Sequence, residues 1–399
     1  MKNLLFGLSG LFLFPLQSNA WQTTPEVTVA PTVAVTHPAR ISSVNGTAAA
    51  HIQNQDDDPT KSKTFSRSFS VDRNDKVSVA NQYGTLTIKT WDKNEVKLDA
   101  SIYAYATKDE DAQELLDAVS IDAVKSGDQM TFKTNVQQKN NKGWNSWGRG
   151  FKNGVKWRRE VKIYLTLYMP ASNALSASQT YGNIMMDDFS GPTSLKVQYG
   201  NLVTGNLSNS NNYISVQYGK ANMKQINEAN IKLQYGDGLT LAGVNDLTLE
   251  AQYTAVNIGT IKSSANIKHQ YGKGISIDYA GTLSLTAQYT TIKVNKLGGT
   301  FSGNVQYSDL NLENIDAESK IVNIGGDYSD LTLGFGATYG GIFNVATNYG
   351  GFKYGSQVTA KQERGQRPGS TSKAYSGQIG KGGAAQVNIN TNYGSVTFK

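Results

Sequence analysis

From about residue 193 onward, apolar and polar residues alternate in short bursts, and each burst stops at the same kind of place. Leu195 and Val197, Ile214 and Val216, and Ile231 and Leu233 sit four and two positions before Tyr199, Tyr218 and Tyr235. A period of two marks a strand with one face buried. The tyrosines at 181, 199, 218, 235, 253, 271, 289 and 307 follow one another at steps of 17 to 19 residues, and the register continues through Tyr328 and Tyr349 to Tyr393. Past each tyrosine the apolar residues return at plus three, plus five and plus eight, as Val256, Ile258 and Ile261 do after Tyr253. A unit of about 18 residues is too small to bury its own apolar face, so it must stack on its neighbours. The pattern therefore predicts an all-β fold: a parallel β-helix, or solenoid, over residues 171–399. About a dozen coils with strands roughly 4.8 Å apart would give a rod on the order of 55 Å long.

Parity assigns the side chains. A tyrosine two residues beyond Val197 or Val216 shares their face, which places the rings in the core, where truncating one would cost about 3–5 kcal/mol. The alternative is an exposed aromatic stripe that binds sugar rings. Gln precedes Tyr at 198, 217, 234, 252, 270, 288 and 306, on the solvent face, where identical amides in successive coils can form a hydrogen-bonded ladder. Gly follows Tyr at 200, 219, 236 and 272, which predicts a corner with backbone angles closed to other residues. Thr254, Thr290 and Ser308 at that position call for a different turn.

Upstream the pattern is less regular. Residues 65–170 read as a mixed β region with one short helix at 109–119, where Ala112, Leu115, Leu116 and Val119 share a face and Thr107 with Glu110 forms a capping box. Residues 21–64 hold four of the eight prolines and the run Asp56-Asp57-Asp58 with no sustained apolar period, and read as a disordered linker. Lys2, the apolar stretch Leu4 to Leu16 and Ser18-Asn19-Ala20 have the parts of a secretory signal over residues 1–20, too short for a membrane span. No later stretch reads as a span of the mature chain.

Composition narrows the chemistry. The chain has no Cys, which removes disulfides, thiolate metal sites, thiol nucleophiles and N-terminal lipidation, and its three His give little material for His-based catalysis or zinc binding. No cofactor, metal site or catalytic residue is expected. The formal charge of +7 falls to +6 once Lys2 leaves with the signal, a mild basic excess that suits an anionic partner.

The densest local anomaly is residues 139–159. Lys139, Lys142, Arg149, Lys152, Lys156, Arg158 and Arg159 occur there with no acid, interleaved with Trp144, Trp147, Phe151 and Trp157. Exposed aromatic rings stack on sugars or enter membrane interfaces, while Arg and Lys pair with phosphate or carboxylate. The segment is thus a candidate grip for an anionic envelope glycan, lipopolysaccharide or lipid headgroup, or else a loop folded as a cap over an open end of the solenoid. Nucleic acid suits the same chemistry but not an exported chain. A second basic stretch, Arg364, Arg367, Lys373 and Lys381, falls in an expected insertion loop at 356–386.

A polysaccharide-degrading β-helix enzyme, a lyase or hydrolase acting on acidic glycans, would need clustered carboxylates. The twice-written Tyr-Ser-Asp-Leu, at 307–310 and 328–331, would set Asp309 and Asp330 on neighbouring coils, but two acids are few. His269, two before Tyr271, reads as a buried neutral residue bonded to a neighbour. A membrane barrel is excluded by strands that break after five or six residues where 9 to 11 are needed.

The export signal, the stretch Tyr83-Gly84-Thr85-Leu86-Thr87-Ile88 with Trp91-Asp92, the short helix, the strand into Met169-Pro170 and the Tyr-Gly coils together resemble the adhesin-like family of exported bacterial β-solenoids. The resemblance spans residues 65–399. It implies a parallel β-helix and a location in the periplasm, at the outer-membrane surface or outside the cell, with a non-catalytic binding or structural role. Tyr in the repeat departs from the commoner Ser-Gly or Asn-Gly version, and no catalytic residues carry over.

Overall fold

Twelve tyrosines occupy the left-handed region of backbone space: Tyr83, Tyr181, Tyr199, Tyr218, Tyr235, Tyr253, Tyr271, Tyr289, Tyr307, Tyr328, Tyr349 and Tyr393, with φ between 48° and 57°. They are the corners on which the fold turns. The computed structural model describes residues 60–137, 148–152, 154–363 and 369–399. Expectations for the signal and for most of the linker lie outside these residues.

The described chain is all-β with one helix. Its first part comprises β1 (Lys61–Ser70), β2 (Lys76–Thr90), β3 (Glu95–Ala106), α1 (Asp109–Asp117), β4 (Val119–Ser126), β5 (Gln129–Val136), β6 (Gly148–Lys152) and β7 (Val155–Met169). The helix is shorter than expected, because Val119 already opens β4. The capping box does not form: Lys108 takes the N-cap position with no side-chain bond, and the Thr107 hydroxyl instead accepts from the Arg158 backbone N–H at 3.2 Å. Three acids in the first turn, Asp109, Glu110 and Asp111, favour the helix N-terminus in place of a cap. β1 begins inside the segment read as linker.

The repeats supply β8 (Ala174–Met186), β9 (Thr193–Gln198), β10 (Leu202–Thr204), β11 (Asn212–Gln217), β12 (Lys220–Gln234), β13 (Gly238–Gln252), β14 (Ala255–Gln270) and β15 (Gly274–Gln288). They continue as β16 (Thr291–Leu297), β17 (Phe301–Gln306), β18 (Asp309–Ile315), β19 (Ile321–Asp327), β20 (Leu331–Phe335), β21 (Gly341–Asn348) and β22 (Phe352–Tyr354). The chain ends in β23 (Val358–Gln362), β24 (Ser372–Ile379), β25 (Ala385–Asn392) and β26 (Val396–Phe398). Pairing between successive repeats is parallel and in register, as in Ile231↔Leu249, Leu249↔Ile267 and Ile267↔Leu285. Like stacks on like, so each apolar position becomes a buried column, and Ile231, Leu249, Ile267 and Leu285 are all buried. A buried branched side chain of this kind contributes about 1.5–3 kcal/mol, which a single repeat could not secure.

β2 is the first of these rungs: it pairs along its length with β8 and carries β5 and β7 on its other edge, both parallel. Antiparallel strands then close that edge, β1 on β3 and β3 on β7, with β4 on β5. At the other extreme the order departs from the sequence. β25 pairs in parallel with β19 on one side and β21 on the other, and β26 lies between β20 and β22. The last repeat is thus inserted between the two that precede it. The segment expected as a loop at 356–386 carries strands: β24 runs antiparallel to both β21 and β23, covering the edge that an exposed β21 would leave open.

Candidate functional site

The rings do not enter the core. Eleven of the twelve tyrosines, all but Tyr83, are 44–56% exposed. Parity failed because the strand ends one residue early: in β11 Val216 is buried, Gln217 is the last ladder residue, and the positive φ at Tyr218 swings its side chain outward. Its N–H still donates to the carbonyl of Gln234 in the next repeat at 3.0 Å, so the backbone ladder is unbroken.

The following glycine does a different job from the one expected. Gly182, Gly200, Gly219 and Gly236 have no positive φ; a Cβ on any of them would overlap the carbonyl oxygen of the glycine one repeat before. Nor does the turn change where that residue is Thr or Ser, since Tyr253, Tyr289 and Tyr307 keep φ values of 53°, 53° and 48°. There the hydroxyl side chains turn inward, and the Ser308 and Ser329 hydroxyls accept the backbone N–H of Thr290 and Ser308 at 3.1 Å.

The rings stack into one continuous column. Centroids lie 4.7–5.4 Å apart with interplanar angles of 1–13°, in the spatial order Tyr83, Tyr181, Tyr199, Tyr218, Tyr235, Tyr253, Tyr271, Tyr289, Tyr307, Tyr328, Tyr393, Tyr349. Faces are therefore covered by neighbouring rings, and what meets solvent is ring edge and phenol. The expected glutamine ladder runs beside it, from Gln198 to Gln306, with amide contacts of 2.7–3.4 Å. Burial holds the Tyr83 and Tyr328 phenols above their ordinary pKa, with neighbouring phenols adding to it.

A shallow groove of about 530 Å³ follows the column over three repeats. Tyr289, Tyr307 and Tyr328 line it with Gly272 and the buried Thr290 and Ser308, and the exposed Lys273, Thr291 and Asp309. The Thr290 hydroxyl oxygen is buried there without a partner among the described residues.

Of the basic and aromatic segment at 139–159, Lys139, Lys142, Trp144, Trp147 and the Lys152 side chain lie outside the described residues. The remainder belongs to the β6–β7 hairpin, whose register pairs Arg149 with Arg158, Gly150 with Trp157 and Phe151 with Lys156. Phe151 is 77% exposed, and Arg149 and Lys156 are exposed beside it. Trp157 is half-buried against Gly150; a Cβ there would come 3.2 Å from the indole nitrogen. Arg158 lies 3.7 Å from the Tyr105 ring centroid and is ion-paired to Glu160, while Arg159 reaches Asp111 at 2.9 Å and Glu114 at 3.0 Å. These two arginines pin the hairpin to β3 and α1, where an acidic helix matches a basic strand. Lys373 is exposed on β24, and Arg364 and Arg367 lie outside the described residues.

Asp309 and Asp330 fall at equivalent places on adjacent repeats, as Leu310↔Leu331 requires. Asp330 is already engaged: its carboxylate accepts the Ser395 hydroxyl at 2.7 Å and backbone N–H at 2.9 Å, which hold its pKa below the usual range. Among the described residues no group of three or more His, Asp or Glu is placed to hold a metal ion. His269 is fully buried in the column Ala251, His269, Ala287, and its Nε2 lies 3.0 Å from the Thr254 carbonyl. Burial pushes its pKa down, keeping it neutral. A Cβ on Gly272 would overlap the His269 ring, so the glycine leaves the room the imidazole fills.

No family model matches the chain, and no curated protein matches it in sequence. Among solved structures it is similar to a candidate cell adhesion protein from Clostridium sporogenes, at 9% identity and TM-score 0.19, covering 85% of this chain and 99% of that one. A candidate adhesin from Parabacteroides distasonis is 11% identical with TM-score 0.35, over 66% of this chain and 97% of that one. A candidate lipid binding protein from the same organism is 11% identical with TM-score 0.27, over 84% and 96%. Likeness this loose carries nothing about function. No described helix is long and apolar enough to cross a membrane.

Proposed function

We propose that this chain is an exported parallel β-solenoid of the bacterial envelope or cell surface, acting as a non-catalytic, adhesin-like binding scaffold. On this reading residues 1–20 direct export, the stretch from 21 to the start of β1 at Lys61 forms a linker, β1 to β7 an N-terminal β region and 171–399 the repeat array. The observation that supports it is the parallel pairing of successive repeats, which stacks a tyrosine at every corner and a buried apolar position beneath it. Repeated in this way, the rungs build an extended, repetitive surface instead of one unique cleft. The β6–β7 hairpin is its terminal grip. Phe151 is exposed with Lys156 opposite it on the partner strand and Arg149 two residues before it, a grouping of aromatic body and cations suited to an anionic glycan, lipopolysaccharide or lipid headgroup.

The test is retention of the purified protein on anionic envelope polysaccharide, lipopolysaccharide and anionic phospholipid vesicles. Replacing Arg149, Phe151 and Lys156 together by Ala is expected to weaken retention at least tenfold, with the far-UV CD spectrum unchanged. Unaltered retention on all three would reject the hairpin as the grip.

A further inference from the structure

The tyrosine column is costly to build. A left-handed conformation is strained for any residue but glycine, and Gly or Asn would make the same corner with less strain. Stacking between neighbouring rings is of a size that only offsets that strain. Half of each ring nevertheless stays in water. With a tyrosine presenting about 150–250 Å², eleven half-exposed rings amount to on the order of 1,000 Å² in one strip, against roughly 300–600 Å² for the largest apolar patch of an ordinary monomer. A strip of that size marks a binding surface.

Its period selects the ligand. The rings advance by 4.7–5.4 Å per step, so a partner touching every rung must be a polymer with nearly that repeat. An extended peptide advances by about 3.2–3.4 Å per residue and duplex DNA by about 3.4 Å per base pair, so either meets the column in phase only at every second rung, three units to two steps, and cannot touch each ring alike. One β-1,4-linked pyranose advances by about one rung. Chemistry agrees. Ring faces are occupied by other rings, which rules out stacking sugars flat upon them along the column. The exposed edges carry the positive end of the ring quadrupole and each phenol can donate and accept, both suited to sugar oxygens. Beside Tyr289, Tyr307 and Tyr328 the groove bears one cation, Lys273, and one anion, Asp309, a balance that suits an uncharged chain.

We infer that the tyrosine column and its groove form a rail for an extended, neutral β-1,4-linked glycan, one sugar per rung. This site is separate from the anionic grip on the β6–β7 hairpin and goes beyond that reading. Contacts repeated along one polymer act as linked binding events, so affinity rises with chain length.

The experiment is calorimetric titration of the whole protein with neutral β-1,4-linked oligosaccharides of two to six residues. Flexible α-1,6-linked glucan and phosphatidylcholine vesicles serve as comparison probes. Affinity is expected to rise severalfold with each added residue. The variant Tyr289→Phe, Tyr307→Phe, Tyr328→Phe, which keeps the ring column, is expected to lose at least tenfold. The proposal is overturned if that variant binds as tightly as the parent, if affinity is independent of length, or if only the vesicles or the α-linked glucan bind. The hairpin variant retains the rail, so loss of anionic retention and loss of glycan binding report on different sites.

Discussion

Tyr253 sits mid-column and offers a quantitative check on the corner. Its ring stacks on Tyr235 at 5.0 Å and on Tyr271 at 5.3 Å and is 49% exposed. Tyr253→Ala removes about 100 Å² of buried ring, worth about 2.5 kcal/mol, and two stacking contacts of about 0.5–1.5 kcal/mol each. The compactness of real unfolded chains trims the area contribution, leaving about 3–5 kcal/mol. Alanine also keeps the backbone strain at a φ of 53°. Asn tolerates that conformation, so Tyr253→Asn should cost about 1 kcal/mol less than Ala despite being polar, and Tyr253→Phe should lie within about 0.5 kcal/mol of the parent. Urea unfolding followed by far-UV CD gives the order, with the slope of each transition checked because long arrays can lose all-or-none behaviour. Exchange of the Tyr235 amide, bonded to the Gln252 carbonyl at 3.0 Å, reports the corner locally. An alanine cost below about 1 kcal/mol, or Asn less stable than Ala, would refute the account of strain offset by stacking.

His269 and Gly272 are coupled. Gly272→Thr alone drives a side chain into the imidazole and against the Thr254 carbonyl, and His269→Ala alone leaves a cavity worth about 2–4 kcal/mol; the double variant, which sets Ala and Thr where the next repeat has Ala287 and Thr290, removes the first clash and should cost at least about 1 kcal/mol less than the sum of the two singles, measured by a double-mutant cycle. Additive costs would show that the two do not share one space. Tyr339 is buried with its hydroxyl unpartnered among the described residues, and burial pushes its pKa up to about 12. Because the folded pKa is raised, stability does not change through this group below about pH 10 and falls as pH climbs from there through the folded value, where the unfolded chain loses its proton first. Tyr339→Phe should add about 1–3 kcal/mol at neutral pH and shrink the fall in unfolding midpoint between pH 10 and 12; an unchanged alkaline fall would contradict this.

The rungs were legible because stacking makes each position answer to its equivalents 17 to 19 residues away, and the alternation of Ile231 and Leu233 or Ile267 and His269 states the buried face directly. The glutamine ladder followed from the same register. The tyrosines were misread because parity holds only while the strand lasts, and no local rule foretells a bulky ring in a left-handed corner. The signal available was the polar residue before each Tyr and the Gly, Thr or Ser after it, which together mark a strand end. Arg159 has its partners Asp111 and Glu114 on the helix, and Arg158 covers Tyr105 of β3, none of which spacing reveals; the other partner of Arg158, Glu160, stands one residue past the basic stretch. The order of the final repeats was hidden for another reason: Tyr393 fits the column equally well before or after Tyr349, and only the strand pairing distinguishes them.

The interleaved end has a consequence for how the molecule is made. A chain synthesised from its N-terminus can add repeats in sequence as far as Phe335, each templated by the one before. Beyond that point the template for Gly341–Asn348 has not yet arrived, since its parallel neighbour is Ala385–Asn392. The tip must wait with its growing edge unsealed, or pair provisionally and then open, until the closing segment slides between its elders like the keystone of an arch.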